Sequence, residues 1–152
     1  MIYRLATKDL GENSAYAVGK NLDISFKESS EVCSFVRNKG VGIAKRMLGS
    51  VIVGKMAVPF KKYNDDLAHK PGISSGRYPM KCAGEILKII KSAESNALNK
   101  GLNTNDLVIT HICAHKASTP YHSGRQRRRK MKRSHIEVVV KEQKVEKKRK
   151  NN

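Results

Sequence analysis

The spacing of apolar residues divides most of the chain into predicted helices and strands. Apolar positions alternate with polar ones over residues 21–27, which predicts a short strand. Apolar stripes with a helical period predict three helices, over residues 29–40, 42–54 and 80–101. The first begins with Ser and Glu at capping positions, and each ends at a glycine.

Two further strand patterns lie near the end of the chain. Residues 106–116 form the first, and the second returns through residues 125–141. The residues between them, 117–124, include a proline and a glycine, which are typical of turns. The pattern therefore predicts a β-hairpin over about residues 107–140.

The order of these elements predicts an α+β fold, with three helices packed on a small antiparallel sheet and a long protruding β-hairpin. We expect an N-terminal extension over residues 1–20, a single domain over 21–141 and a basic, disordered tail over 142–152. Residues 55–79 contain three prolines and are predicted to form a long loop.

The charge of the chain indicates a protein that binds an anionic partner. The chain has 31 Lys and Arg against 13 Asp and Glu, a formal net charge of +18. Residues 116–152 alone carry 14 basic and 3 acidic side chains. Such an excess favours a polyanion, with nucleic acid as the first candidate and an acidic membrane surface as the second.

The basic run of the hairpin, residues 125–133, holds five Arg and two Lys. Read as a strand, both of its faces are cationic and cannot pack on an apolar core. The apolar alternation resumes at Ile136, so the boundary between body and hairpin arm is expected near Ser134. Guanidinium groups fork onto phosphates, which suits structured RNA, and Tyr121 and His122 are candidates to stack on unpaired bases. The alternative is a solvated or disordered basic segment.

The cysteines and histidines offer weaker chemical signals. Three separate cysteines without a CxxC motif favour a reducing, cytoplasmic location. His111, Cys113 and His115 alternate on one predicted strand face, but no fourth ligand is apparent and the spacing differs from ordinary structural zinc sites. We therefore interpret this face as partly buried structure and expect no metal and no cofactor.

No enzyme active site is evident in the sequence. It has no carboxylate cluster, no nucleophile paired with a base and no cofactor-binding loop. It also has neither a long apolar run that would span a membrane nor an apolar signal core.

Five stretches, which together cover roughly residues 21–141, resemble the large-subunit ribosomal protein family L-twenty-two (L-seventeen in eukaryotes), in its archaeal and eukaryotic branch. They are "AVPFKKYN" (57–64), "GRYPMKCA" (76–83), "SAESNALNKGL" (92–102), "LVITHICAHK" (107–116) and "GR" (124–125) followed by "SHIEVVV" (134–140).

The resemblance implies a non-enzymatic structural protein of the large ribosomal subunit, located in the cytoplasm. Its body would lie near the exit of the nascent-chain tunnel, and its hairpin would thread into ribosomal RNA and line part of the tunnel wall. The implied partners are ribosomal RNA, neighbouring large-subunit proteins and the nascent polypeptide near the hairpin tip. Together with the stacking candidates, the expected RNA contacts are Lys61, Lys62, Arg77, Lys116, Tyr121, His122, Arg125, Arg127, Arg128, Arg129, Lys130, Lys132 and Arg133.

One departure from the family concerns the length of the hairpin. Few residues separate Lys116 from Gly124, and the loss of about four residues, two per strand, would retract the tip by roughly 7 Å. A free nucleic-acid-binding protein, of the DNA-compacting or RNA-chaperone type, remains the alternative function.

Overall fold

A computed structural model of the chain describes residues 4–7, 11 and 13–143. The helices are α1 (Phe26–Val36), α2 (Val41–Ile52) and α3 (Met80–Asn99). The strands are β1 (Ser14–Leu22), β2 (Val58–Pro59), β3 (His69–Lys70), β4 (Ile73–Arg77), β5 (Leu107–Lys116) and β6 (Ser134–Glu142). The predicted α+β class with three helices is confirmed. Of the predicted C-terminal tail, only residues 142 and 143 lie within the described part of the chain.

The main sheet is antiparallel, with strand order β1-β6-β5. Its first strand differs from the prediction. Residues 14–20, expected to belong to an extension, form most of β1, whereas residues 23–25 of the predicted strand lie outside regular structure and α1 begins at Phe26. The β1 pattern is weak because small residues occupy its inward positions, Ala15, Ala17 and Gly19.

The three helices pack on one face of this sheet. Ile136, Val138 and Val140 of β6 point into the core and are fully buried, as are Ile86 and Ile90 of α3. The small residues of β1 allow α3 to approach closely: a Cβ added to Gly19 would lie 2.5 Å from Cδ1 of Ile89. Most of the helix stripes predicted from periodicity are therefore buried faces. Ile43, predicted to lie on the apolar stripe of α2, is the exception, because its side chain is 49 % exposed.

Local backbone geometry sets the helix ends. Gly54 and Gly101, which follow α2 and α3, have φ angles of +80° and +76°. This left-handed conformation is costly for residues with a Cβ, which explains why glycine marks these ends. After α1 the same conformation occurs at Asn38, with φ of 59°.

Residues 55–79, predicted to be one long loop, contain a second small sheet. Its strand order is β2-β4-β3, and all of its pairs are antiparallel. The loop prediction was therefore wrong for these short strands. β2 and β3 have only two residues each, which is too few for an alternating apolar pattern to be visible in the sequence. Among the described residues no helix is long and apolar enough to cross a bilayer.

Replacing Ile86 with Ala should destabilise the fold by about 2–5 kcal/mol, because it removes buried methyl groups and leaves a cavity. Urea denaturation measures the loss. The matched control is Ile43→Ala on α2, where the side chain is 49 % exposed and the cost should stay within about 0.5 kcal/mol. Equal losses for the two variants would contradict the assignment of the core.

Candidate nucleic-acid interface

Residues 117–133, here termed the arm, connect β5 to β6 and carry most of the predicted RNA contacts. The two sides of the arm remain paired beyond the strands. Three backbone hydrogen bonds join the two sides. At the base, the amide of Ala117 donates to the carbonyl of Arg133 at 3.1 Å. Farther out, the amide of Met131 donates to the carbonyl of Pro120 and the amide of His122 to the carbonyl of Arg129, both at 2.8 Å. The chain therefore reverses over residues 123–128.

This geometry corrects two predictions about the hairpin. The turn was expected over residues 117–124, but the reversal lies within the basic run itself, where Gly124–Gln126 form a short 3₁₀ helix. The basic run is also not a regular strand with two cationic faces. Arg125, Arg127 and Arg128 instead occupy the tip of the arm, and Gly124, with φ of +68°, starts the reversal.

The cations of the arm tip point into solvent. All residues from Ser123 to Lys130 are exposed, and Arg125–Arg129 line a single open concavity. The arginines make local contacts, such as the hydrogen bond from Nη1 of Arg129 to the side-chain oxygen of Gln126 at 3.3 Å. The tip has no apolar core of its own, so its positive charge is held close together without compensating acidic groups on the tip.

The base of the arm, in contrast, is tied to the body. The guanidinium of Arg133 donates to the carbonyl of Asn21 at 3.1 Å, and the hydroxyl of Ser134 donates to the carbonyl of Ile24 at 3.1 Å. A hydrogen bond from Lys81 lowers the pKa of Asp23, with smaller electrostatic contributions from Lys81, Arg133 and His122. β6 begins at Ser134, which places the body–arm boundary at the predicted residue.

Tyr121 and Lys130 face each other across the arm. They form an isolated backbone bridge, and the ammonium of Lys130 lies 5.3 Å from the centre of the Tyr121 ring. The tyrosine is 58 % exposed, so part of its ring remains accessible for stacking. His122 is partly exposed, and Lys116 and Lys132 are exposed at the base of the arm.

Three predicted contacts lie on the body, in the segment between α2 and α3. Lys61, Lys62 and Arg77 all have exposed side chains. Sequence reasoning missed the residue that positions the first two: the carboxylate of Glu31, 3 % exposed, accepts the amides of Lys61 at 3.0 Å and Lys62 at 3.1 Å. These hydrogen bonds fix the backbone while both lysine side chains point outward.

Sequence reasoning also missed Glu137, a fully buried carboxylate on the sheet face opposite the helices. It accepts hydrogen bonds from Cys113, His111 and the amide of Ala6, and His115 lies 3.3 Å away. Burial acts to raise the pKa of Glu137, but these hydrogen bonds outweigh it and hold the pKa below the ordinary value. Burial, and then the carboxylate itself, raise the pKa of Cys113 to about 12.

The fold and the exposed arm define a small α+β protein with a dense cluster of cations on one projection, an arrangement that favours anionic partners. The sequence model described as ribosomal protein L22p/L17e matches residues 17–141. This chain belongs to that family, which confirms the resemblance noted from its motifs.

Archaeal relatives agree with this assignment. The large ribosomal subunit protein uL22 of Staphylothermus marinus is 40 % identical over 139 residues, 84 % of this chain and 88 % of the relative. The protein of that name from Nanoarchaeum equitans is 40 % identical over 88 % of this chain and 81 % of its own length. That from Methanococcoides burtonii is 37 % identical, with 86 % and 91 % covered.

Replacing Glu31 with Gln should cost about 1–3 kcal/mol in the free energy of unfolding, because an amide nitrogen would face a buried backbone N–H in place of an oxygen. Chemical denaturation tests this. Asp66→Asn, a change in an exposed carboxylate of the same segment, should alter stability by no more than about 0.5 kcal/mol. If Glu31→Gln matched this control, Glu31 would have no role in holding the segment.

Proposed function

We propose that this chain is a structural component of the large ribosomal subunit and binds ribosomal RNA through the arm. The observation that carries the proposal is the row of exposed arginines at the arm tip, on a segment without a core. A segment of this kind gains order and loses charge repulsion when phosphates surround it. Membership of the L22p/L17e family supports the same conclusion.

The composition of the arm suits structured RNA. Guanidinium groups make forked hydrogen bonds to phosphate and stack on bases, whereas lysine acts as a point charge. Arg125, Arg127, Arg128 and Arg129 would supply these contacts at the tip, and Tyr121 would offer a ring for an unpaired base. Lys61, Lys62 and Arg77 would extend the interface onto the body.

Within the subunit, the body would lie near the exit of the nascent-chain tunnel and the arm would point toward the tunnel wall. Because the base of the arm is bonded to Asn21 and Ile24, its outer part would enter RNA most deeply, with the exposed Lys116 and Lys132 beside the junction. Arg133, whose guanidinium is partly used in this anchoring, would contribute less to RNA binding than the tip arginines. The compact reversal over residues 123–128 suits a blunt tip.

The alternative function is a free nucleic-acid-binding protein. Sedimentation of cell extracts after a moderate salt wash distinguishes the two, because a subunit component stays with the large subunit. Recovery on chromosomal DNA, or in the supernatant, would favour the alternative.

Replacing Arg127, Arg128 and Arg129 together with Gln should reduce incorporation into large subunits several-fold while the body stays folded. The binding constant K of the chain for isolated large-subunit RNA should also depend less on salt in this variant. The slope of log K against the logarithm of salt concentration should become less negative by about 2–3, as expected for the loss of three phosphate contacts. Quantitative mass spectrometry of purified subunits and filter binding provide the measurements.

The matched control removes the same charge from exposed helix positions, in the variant Arg46→Gln, Lys88→Gln, Lys91→Gln. It should be incorporated normally. Normal incorporation of the arm variant, or an equal defect in the control, would show that overall charge rather than the arm directs binding.

A further inference from the structure

Four side chains with metal-binding atoms meet on the helix-free face of the main sheet. Cys113 and Glu137 are direct cross-strand neighbours in the β5–β6 register. His111 and His115 lie two residues before and after Cys113, and alternation places all three on the same face of β5. The fourth ligand that the sequence pattern lacked is thus supplied by the neighbouring strand.

The ligand atoms lie around Oε1 of Glu137. Oε1 of Glu137 lies 2.9 Å from Nε2 of His111, 2.9 Å from Sγ of Cys113 and 3.3 Å from Nε2 of His115. Sγ of Cys113 is in turn 3.0 Å from Nε2 of His115. Donors of His111, Cys113 and Glu137 all lie within 4.8 Å of one another.

Oε1 of Glu137 is a crowded acceptor. The imidazole of His111, the thiol of Cys113 and the amide of Ala6, 3.1 Å away, all direct hydrogen bonds at it, and the amide is shared with Oε2. A carboxylate oxygen has about two lone-pair positions, so these donors compete. One cation bound between the side chains would replace the competing hydrogen bonds. We propose that His111, Cys113, His115 and Glu137 bind a zinc ion.

The chemistry and dimensions fit zinc. Imidazole, thiolate and carboxylate are the ligand types that Zn²⁺ takes, usually four in a tetrahedron. Bond lengths of about 2.0–2.3 Å place tetrahedral ligand atoms roughly 3.3–3.7 Å apart. The separations given above are shorter by a few tenths of an ångström, so those pairs need only a slight outward rotation. His115 lies outside the group of His111, Cys113 and Glu137, and its ring would turn toward His111 to complete the tetrahedron.

The surroundings supply both access and support. The side chains of His111 and His115 are 30 % and 42 % exposed, which leaves a route from solvent, whereas Glu137 is fully buried. The amide of Ala6 donates to both carboxylate oxygens, at 3.1 and 3.2 Å, and would hold the carboxylate of Glu137 in the orientation that binds the metal. Zinc would therefore cross-link β5 to β6 just before the arm.

Cobalt(II) titration of the purified, metal-stripped full-length chain tests the site, because Co²⁺ reports its own ligands by absorption. We expect saturation at one equivalent, strong visible bands of four-coordinate Co²⁺ and a thiolate-to-cobalt charge-transfer band in the near ultraviolet. One equivalent of Zn²⁺ should abolish all of them. Weak octahedral absorption only would overturn the proposal.

Matched variants assign the ligands. Cys113→Ser should remove the charge-transfer band, whereas Cys82→Ser, which removes a buried thiol from the core, should retain it. His115→Asn, at a half-exposed position, should weaken Co²⁺ binding by more than about tenfold, because loss of a ligand costs at least as much as loss of a group that only orients one. His69→Asn in β3 should leave binding unchanged.

Circular dichroism confirms that each variant is folded before titration. Persistence of the charge-transfer band in Cys113→Ser, or unchanged affinity in folded His115→Asn, would each refute the site. Zinc binding by these side chains does not depend on the proposed ribosomal function, because the titration measures it in the isolated chain.

Discussion

Strand β6 is hydrogen-bonded along both edges, to β1 on one side and to β5 on the other. Its alternate residues face two different environments. Ile136, Val138 and Val140 pack against the helices, whereas Glu137 lies buried on the opposite face. A shift of register by one residue would exchange these faces and place the carboxylate in the apolar core. The rest of the fold depends on this register, because it fixes the positions of β1, of β5 and of the base of the arm.

The separation between body and arm follows from the same strand. Ser134 is fully buried, and the residue just before it, Arg133, already belongs to the cationic arm. Hydrogen bonds from Arg133 to Asn21 at the end of β1, and from Ser134 to Ile24 just beyond it, hold this junction. The body can therefore present the arm in a defined direction.

The helices were predictable from the sequence because burial on one face leaves a strong 3.6-residue pattern. The predicted helix over 80–101 corresponds to α3, Met80–Asn99, and the other two differ by only a few residues at their ends. The basic character of the arm and the boundary at Ser134 were also predictable, since charge and alternation both change there. The family motifs predicted the ribosomal class.

The remaining features depend on register and close packing, which one-dimensional patterns do not contain. β1 was missed because its inward residues, among them Ala15 and Gly19, are small where α3 packs closely, so no large apolar residues alternate. The tip was misplaced because Pro120 and Gly124 suggested a turn earlier than the backbone pairing allows. The partnership of Cys113 with Glu137 spans two strands and could be found only from their pairing.

The position of β6 also has a consequence for the order of folding. Ser14 pairs with Lys141, so the first and last of the described strands are neighbours in the sheet. During synthesis β1 emerges long before β6, and its inner edge has no partner until the arm has also been made. Such pairing between distant segments slows folding and prolongs the exposure of open strand edges. The newly made chain would therefore carry a complete cationic arm before its own sheet could close, and anionic partners could engage the arm before the body is folded.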